Sequence, residues 1–148
     1  MKNMLIVVAI GLVGLAAADK KIQMKDLPQP VQKAARQEEA KGAKIVGLAS
    51  EVEAGKTMYE VETTVNGHTR DLLFDASGKL VETEEETPIS AVPAAVKAAL
   101  EARGKVLKVE TLTKGSIVTY EAQVQMNGKK SEVEVDANGK TKEVRSKK

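Results

Sequence analysis

The stretch NGKKSEVEVDANGK, residues 127–140, repeats with changes a stretch that stands earlier in the chain, NGHTRDLLFDASGK at residues 66–79. Aligned over residues 59–79 and 120–140, the two copies share eight identities in twenty-one positions, where unrelated sequences would share roughly one or two. The identical residues are Tyr59, Glu60, Asn66, Gly67, Asp75, Ala76, Gly78 and Lys79 and, in the same order, Tyr120, Glu121, Asn127, Gly128, Asp136, Ala137, Gly139 and Lys140. Most of them are residues that form turns, so the repeat indicates a structural unit written twice.

Each copy carries the turn signals of a small antiparallel sheet. The Asn-Gly pair tolerates the positive φ angles of a type I′ hairpin turn. The Asp-x-x-Gly segments that begin at Asp75 and Asp136 combine a side chain that can hydrogen-bond its own backbone with a glycine for a left-handed position. A looser turn precedes each pair, EAGK at residues 53–56 and TKGS at residues 113–116. Three turns separate four strands, so each copy is predicted to be a four-stranded antiparallel meander.

The apolar residues predict that one face of each meander is covered by a helix. Apolar and polar residues alternate along the strands, as they do in half-buried strands. Helices that open at proline and end at glycine are predicted over residues 27–42 and 92–104. The predicted fold is therefore α+β, with two tandem repeats, each one helix packed on a four-stranded antiparallel meander sheet. The repeats are predicted to span residues 19–85 and 86–148.

The first eighteen residues have the layout of a secretory signal peptide. Lys2 is followed by an apolar run, and Ala16 and Ala18 form a small-residue cleavage site before Asp19. The uncharged stretch Met4–Ala18 has fifteen residues, which is shorter than the ~20 that a spanning helix needs. Cleavage after Ala18 is therefore predicted in preference to a retained anchor, and the mature protein is expected to be periplasmic or secreted.

Composition narrows the classes of partner. The chain has 148 residues and no cysteine, which suits a bacterial periplasm or exterior better than a disulfide-rich secreted eukaryotic domain. From Asp19 onward it carries 22 basic residues, which is 23 minus Lys2, against 21 acidic ones. This near-neutral balance predicts neither nucleic acid nor, after signal cleavage, a membrane as partner.

An LPxxV helix opening at Leu27–Val31, followed by the pattern YEV…NG…DxxGK, resembles the PepSY-like, beta-lactamase-inhibitor-like family of secreted bacterial proteins. The resemblance covers both copies and implies a non-catalytic extracytoplasmic module. PepSY domains accompany secreted peptidases in their propeptides, and the inhibitor relatives bind an enzyme across the concave outer face of two tandem sheets. The inhibitor also has disulfides and an aromatic binding face, whereas this chain has no tryptophan, one phenylalanine and two tyrosines. That difference argues against a beta-lactamase as the target.

No group of residues predicts catalysis. His68 is the only histidine, so it lacks the second ligand of a zinc site and is interpreted as an ordinary strand residue. Asp75 and Asp136 each belong to a turn, and Ser77 has no histidine placed to activate it. The acidic run ETEEE at residues 82–86 could gather calcium or a basic partner, but it is predicted to be a solvated linker between the copies. The protein is therefore expected to be no enzyme and to need no metal or cofactor.

The expected function is to bind another secreted or periplasmic protein or peptide through the polar side of the sheet, and so to inhibit or chaperone a secreted enzyme such as a peptidase. Residues that alternate away from the helices would form this face. The candidates are Met58, Glu60, Glu62, Asp71, Leu73, Glu121, Gln123, Lys130 and Glu132. Met58 and Leu73 are predicted to be exposed apolar residues on an otherwise wet surface. The alternative is a carrier that holds a small apolar or peptidic ligand between helix and sheet.

The leader interpretation predicts how the chain is processed. Expressed with its own first residues in a bacterium, the protein should appear outside the cytoplasm with Asp19 as its first residue, because Ala16 and Ala18 satisfy the cleavage rule. The intact mass of the exported form measures this. A membrane-bound product that retains Met1 would show an anchor instead.

Overall fold

The computed structural model describes residues 20–53 and 55–146, and the predicted signal peptide lies outside this range. Within it the chain forms one antiparallel sheet and two α-helices, which confirms the α+β class. The strands are β1 (Lys20–Lys21), β2 (Lys44–Glu53), β3 (Lys56–Val65), β4 (His68–Asp75), β5 (Leu80–Glu86), β6 (Lys105–Lys114), β7 (Ile117–Met126), β8 (Lys129–Asp136) and β9 (Thr141–Ser146), and the helices are α1 (Gln29–Ala40) and α2 (Ala94–Glu101). The two-residue strand β1 was not predicted.

The two copies share a single sheet. Its nine strands lie in chain order, and each pairs antiparallel with the next. Strands β5 and β6 make the joint between the copies, with Glu82 opposite Lys114 and Glu84 opposite Leu112. The prediction that residues 82–86 form a solvated linker is therefore wrong. Glutamate is depleted in strands, but here the backbone of the run is paired on both sides, to β4 and to β6.

Both helices pack on the same kind of surface, which we call the helix face of the sheet. Side chains of α1 form one buried cluster with β3 and β4, and side chains of α2 form another with β6, β7 and β8. The residues with no exposed surface in these clusters are Val31, Ala35, Val61 and Leu72 in the first, and Val96, Leu100, Val124, Val133 and Val135 in the second. Burial of such apolar side chains contributes about 1.5–3 kcal/mol each. The clusters therefore provide the main stabilising contact of each helix.

The helices are shorter than predicted. Pro28 and Pro93 stand immediately before α1 and α2 as their N-caps, so each helix begins two residues later than expected. Gly42 and Gly104 lie beyond the helix ends with φ angles of 100° and 140°. The predicted proline opening and glycine ending are thus confirmed, although one residue separates the end of α1 from Gly42 and two separate the end of α2 from Gly104.

Irregularities of the sheet repeat at the same spacing as the sequence. Register shifts interrupt the β2–β3 pairing between Ile45 and Gly47 and the β6–β7 pairing between Val106 and Lys108, sixty-one residues later. A second pair of shifts lies at Leu73–Phe74 and at Glu134–Val135, again sixty-one residues apart. Bulges bend a strand and increase its twist. The repeat therefore reproduces the bending of the sheet as well as its turns.

The Asn-Gly turns are the predicted left-handed hairpins. Asn66 and Gly67 have φ angles of 51° and 84°, and Asn127 and Gly128 have 51° and 76°. Two successive positive φ angles define the type I′ turn, whose twist matches that of the strands it joins.

The Asp-x-x-Gly turns have a second task, which is to support a helix. Asp136 Oδ1 accepts backbone hydrogen bonds from Asn138 at 2.9 Å and from Lys140 at 3.0 Å. Gly139, with φ 78°, lies so close to α2 that a Cβ atom there would stand 2.5 Å from the carbonyl oxygen of Ala95. Asp75 makes the same hydrogen bonds in the first copy, and a Cβ on Gly78 would stand 2.8 Å from the carbonyl oxygen of Pro30. The interpretation of both aspartates as turn residues is confirmed.

The two kinds of glycine predict different costs for the same substitution. Gly128→Ala should lower the free energy of unfolding by about 1 kcal/mol, because alanine resists a positive φ angle. Gly139 has almost the same φ angle as Gly128. Gly139→Ala should lower the free energy of unfolding by an additional 1–3 kcal/mol, roughly the cost of overpacking, because the new Cβ meets the backbone of α2. Urea unfolding of both variants measures the difference. Equal losses would mean that the turn does not support the helix.

Candidate functional site

The face of the sheet opposite the helices, which we call the outer face, is lined by carboxylates. They come from β3 to β8, where many of the residues that alternate with the buried apolar ones are acidic. The carboxylates are Glu60, Glu62, Asp71, Glu82, Glu84, Glu86, Glu110, Glu121, Glu132 and Glu134. Lysines share the outer face at positions 108, 114 and 130 and are outnumbered. The balance of charge on this face is therefore strongly negative, although that of the whole chain is nearly neutral.

Four of these carboxylates stand directly beside one another across the sheet. Glu86 on β5 is opposite Glu110 on β6, Glu110 is opposite Glu121 on β7, and Glu121 is opposite Glu134 on β8. We call these four residues the glutamate row. Strands are about 4.8 Å apart, so the row extends over about 14 Å. Like charges directly opposite each other destabilise a sheet, so the row is unfavourable for the fold alone.

A second acidic group lies on three neighbouring strands of the first copy and ends at β5, beside the joint with the second copy. Glu62 on β3 is opposite Asp71 on β4, and Asp71 is opposite Glu84 on β5. Burial, together with the charges of Glu110 and Glu82, raises the pKa of Glu84 to about 9. Burial also raises the pKa of Asp71 to about 6, although the backbone hydrogen bond from Thr63 acts to lower it. Near pH 7, Glu84 therefore keeps its proton while Asp71 is mostly ionised.

Some of the carboxylates have donors within the protein. Lys108 Nζ lies 2.6 Å from Glu110 Oε1, and Lys114 Nζ lies 3.3 Å from Glu82 Oε2. Glu134 differs, because only 3% of its surface is exposed and its Oε1 has no hydrogen-bond partner among the described residues. A buried acceptor without a donor is costly, at about 1–3 kcal/mol. The glutamate row thus contains one carboxylate oxygen whose donor is missing.

The internal repeat shows that this position does not need an acid. Sixty-one residues before Glu134 stands Leu73, next to the same register shift and equally buried at 5%. The row of the first copy runs Ala49, Glu60, Leu73, and the matching row of the second copy runs Glu110, Glu121, Glu134. The second copy therefore replaces two apolar residues by glutamates within the same backbone arrangement.

The residues predicted from the sequence lie on the outer face as expected, but with different exposure. Glu62, Glu121, Gln123 and Glu132 are half-buried, Lys130 is exposed, and Glu60 and Asp71 are buried. The expectation that Met58 and Leu73 are exposed is wrong, since they are 6% and 5% exposed. Leu73 stands between Glu60 and Glu82 in the register, where neighbouring strands leave it little surface.

Sequence reasoning missed Glu82, Glu84, Glu86 and Glu110 as candidates. The first three fell in the predicted linker, where alternation along ETEEE was the available signal. The place of Glu110 beside Glu86 depends on the pairing of β5 with β6. Glu134 lies on the outer face, as alternation along β8 predicts from Glu132.

An open groove of about 290 Å³ lies where the copies meet, and Glu86 and Lys108 at the end of the glutamate row are part of its lining. His68, at the start of β4, lines it together with residues 86–89 and 106–109. His68 is exposed, as an ordinary strand residue is, and among residues 20–53 and 55–146 no group of three or more His, Cys, Asp or Glu is placed to hold a metal ion. In the same part of the chain no helix is long and apolar enough to cross a membrane.

The space between helix and sheet is filled by side chains. Val31 and Val61 in the first cluster and Val96 and Val133 in the second have no exposed surface. The groove near His68 borders the second cluster at Val109, and Ile89 and Val106, which pack against that cluster, also line it. The carrier alternative, which requires a cavity between helix and sheet, finds no support in this packing.

Comparison with known proteins agrees with this architecture. The model of a family described as "Putative beta-lactamase-inhibitor-like, PepSY-like" matches the chain twice, over residues 15–81 and 57–143. The chain belongs to the PepSY-like family. The resemblance drawn from the LPxxV and DxxGK patterns is therefore confirmed, and the PepSY-like repeat is present in two copies. No curated protein matches the chain in sequence.

Three solved structures from species of Bacteroides have the same fold. A protein from Bacteroides eggerthii, described as a putative periplasmic protein, has a TM-score of 0.65 and 20% identity, over 81% of this chain and 88% of its own. A DUF2874 family protein from Bacteroides ovatus has a TM-score of 0.62 and 19% identity, over 81% and 87%. A BLIP-like protein from Bacteroides fragilis has a TM-score of 0.58 and 21% identity, over 81% and 86%. At these identities the likeness shows that the fold is shared.

The raised pKa of Glu84 predicts how stability depends on pH. The folded form holds a proton up to about pH 9, while the unfolded chain releases it near the ordinary value of 4.5. The free energy of unfolding should therefore fall as pH rises between these values. Between pH 6.5 and 8.5, above the shifted pKa of Asp71, we expect a loss of about 1 kcal/mol or more.

Glu84→Gln, which is neutral at every pH, should abolish most of this loss and be more stable than the unmodified protein at pH 8.5. Thermal unfolding at the two pH values measures it. Glu85→Gln on the same strand, an exposed position, is the matched control and should leave the pH dependence unchanged. A Glu84→Gln variant with the full loss would assign the dependence to another group.

Proposed function

We propose that the protein is a non-catalytic binding module that acts outside the cytoplasm and holds another protein or peptide against the outer face of its sheet. The observation that carries the proposal is the acidic outer face, where carboxylates lie opposite one another and one buried oxygen has no donor among the described side chains. Such an arrangement is unfavourable in the free protein and becomes favourable when a partner supplies the missing donors. Membership in the PepSY-like family and the fold shared with a BLIP-like protein support a binding role.

Two further observations support a place for this module outside the cytoplasm. The leader-like first eighteen residues, with cleavage after Ala18, agree with a periplasmic or secreted protein, and one structural neighbour is described as periplasmic. In the proposal each PepSY-like unit consists of one helix and four strands, residues 19–85 and 86–148. The two units then present one continuous surface to the partner, because β5 pairs with β6.

The outer face would hold its partner by charge and hydrogen bonds. Phe74 packs in a cluster of the helix face, and Tyr59 and Tyr120 pack against these clusters, so none of the three lies on the outer face. Tight protein interfaces are usually anchored by aromatic residues and arginine, so arginine or lysine on the partner is the natural counterpart. Inhibition or chaperoning of a secreted enzyme, such as a peptidase, is the role that this mode of binding would serve.

Two variants with the same substitution test the face. A partner is first isolated with the mature protein from the periplasmic or culture fraction, and its affinity is then measured by calorimetry. Gln123→Arg, half-buried on the outer face, should weaken binding about tenfold, which corresponds to about 1.4 kcal/mol.

Gln37→Arg, on the exposed side of α1, adds the same charge and should change the affinity less than about twofold, a small fraction of that energy. Weaker binding by Gln37→Arg alone would move the interface to the helices. If both variants were folded and bound the partner as tightly as the unmodified protein does, the outer face would be excluded as the binding surface.

A further inference from the structure

Among the described residues, one buried oxygen of the glutamate row has no hydrogen-bond donor. Glu134 is buried, its Oε1 has no partner among the described residues, and the residue opposite it on β7 is Glu121, another carboxylate. An ionised carboxylate only accepts hydrogen bonds. The donors near the other end of the row are already placed, with Lys108 on Glu110 and the Thr69 backbone N–H 3.3 Å from Glu86 Oε2. Among the described side chains no donor is placed on Glu134 Oε1, so this oxygen can accept a hydrogen bond from another molecule.

We propose that the glutamate row is the recognition site for a basic, extended segment of the partner, and that a lysine or arginine of that segment binds Glu134. The proposal rests on the proposed function and names the chemistry of its partner. A cationic side chain satisfies both needs of the site at once, because it donates hydrogen bonds and neutralises adjacent carboxylates. The long aliphatic part of a lysine or arginine side chain also lets its charged end reach Glu134 Oε1 past the half-buried side chains around it.

The extent of the row favours a peptide segment over a single point charge. Its four carboxylates are spread over about 14 Å across β5 to β8, so one cation can meet only two of them. A segment in extended conformation places alternate side chains on one side at intervals of about 6.8 Å. Two or three basic residues on such a segment can span the row.

The repeat supplies the reason to assign the site to the second copy. At the position equivalent to Glu134 the first copy has Leu73, and at the position equivalent to Glu110 it has Ala49. The backbone accepts an apolar residue at both places, so the fold does not require the glutamates. The acidic row is a feature that the second copy carries on the same scaffold.

Defined peptides test the proposal with the mature protein. The probe is a capped peptide of four Ala-Lys repeats, and the reference peptides carry glutamine or glutamate in place of lysine. Binding is measured by calorimetry at about 0.01 M and about 0.15 M salt, since screening weakens pairs of exposed charges. The lysine peptide should bind, more weakly at the higher salt, and the glutamine and glutamate peptides should not.

Two variants of one residue locate the binding. Glu134→Gln should lower the affinity for the lysine peptide about tenfold, as expected for one charge-assisted hydrogen bond. Glu85→Gln, which removes the same charge from an exposed position on the other side of β5, should leave the affinity unchanged. Glu134→Leu, which introduces the residue that the first copy has at position 73, should keep or raise the melting temperature and also lose the peptide. Equal affinity for the unmodified protein and both Glu134 variants would overturn the proposal.

Other outcomes are distinct from a failure of the proposed function. A partner whose binding is weakened by Gln123→Arg but unaffected by Glu134→Gln and by salt would keep the module and exclude the basic segment. Calcium binding lost in Glu134→Gln, without any affinity for the lysine peptide, would show that the row is a metal site and exclude a peptide. If the unmodified protein bound neither a partner nor the lysine peptide, both proposals would be wrong.

Discussion

The contact between a tight turn and the first turn of a helix fixes the rest of this structure. In each copy an aspartate side chain holds the turn by accepting hydrogen bonds from backbone N–H groups of the residues that follow it. The glycine of the same turn lies against the carbonyl group of Pro30 or Ala95. Neither place has room for a side chain. The helix is thereby set on one side of the sheet, where its apolar residues meet those of the strands. The other side of the sheet is left for polar residues, and the candidate binding surface lies there.

The freedom of the outer face explains how two copies of one unit can differ in chemistry. The helix face must keep residues such as Leu72 and Val133 to remain packed. The outer face has leucine at position 73 and glutamate at position 134, although the two residues occupy equivalent positions in the strand pairing of their copies. A duplicated unit can therefore change its outer face without losing its fold. The acidic row of the second copy shows the result of such a change.

Sequence patterns predicted the helices, the hairpin turns and the face on which most residues lie, because these depend on neighbours within a few positions. They failed for residues 82–86, since a run of glutamates is a poor strand former and its strand depends on pairing with both β4 and β6. They failed also for the burial of Met58 and Leu73, which alternation alone does not fix. The glutamate row could not be predicted, because it joins Glu86 to Glu134 through the register of four strands.

The pairing of β5 with β6 has a consequence for any attempt to separate the copies. Cutting the chain after Glu86 would leave β5 with a row of free backbone N–H and C=O groups, and a fragment that begins near α2 would expose the matching side of β6. Unpaired strand edges recruit other strands, and proteins normally blunt them with charge, bulges or short length. Each half would therefore tend to join another half through the exposed edge. The intact chain suppresses this self-assembly by keeping the two edges permanently occupied by each other.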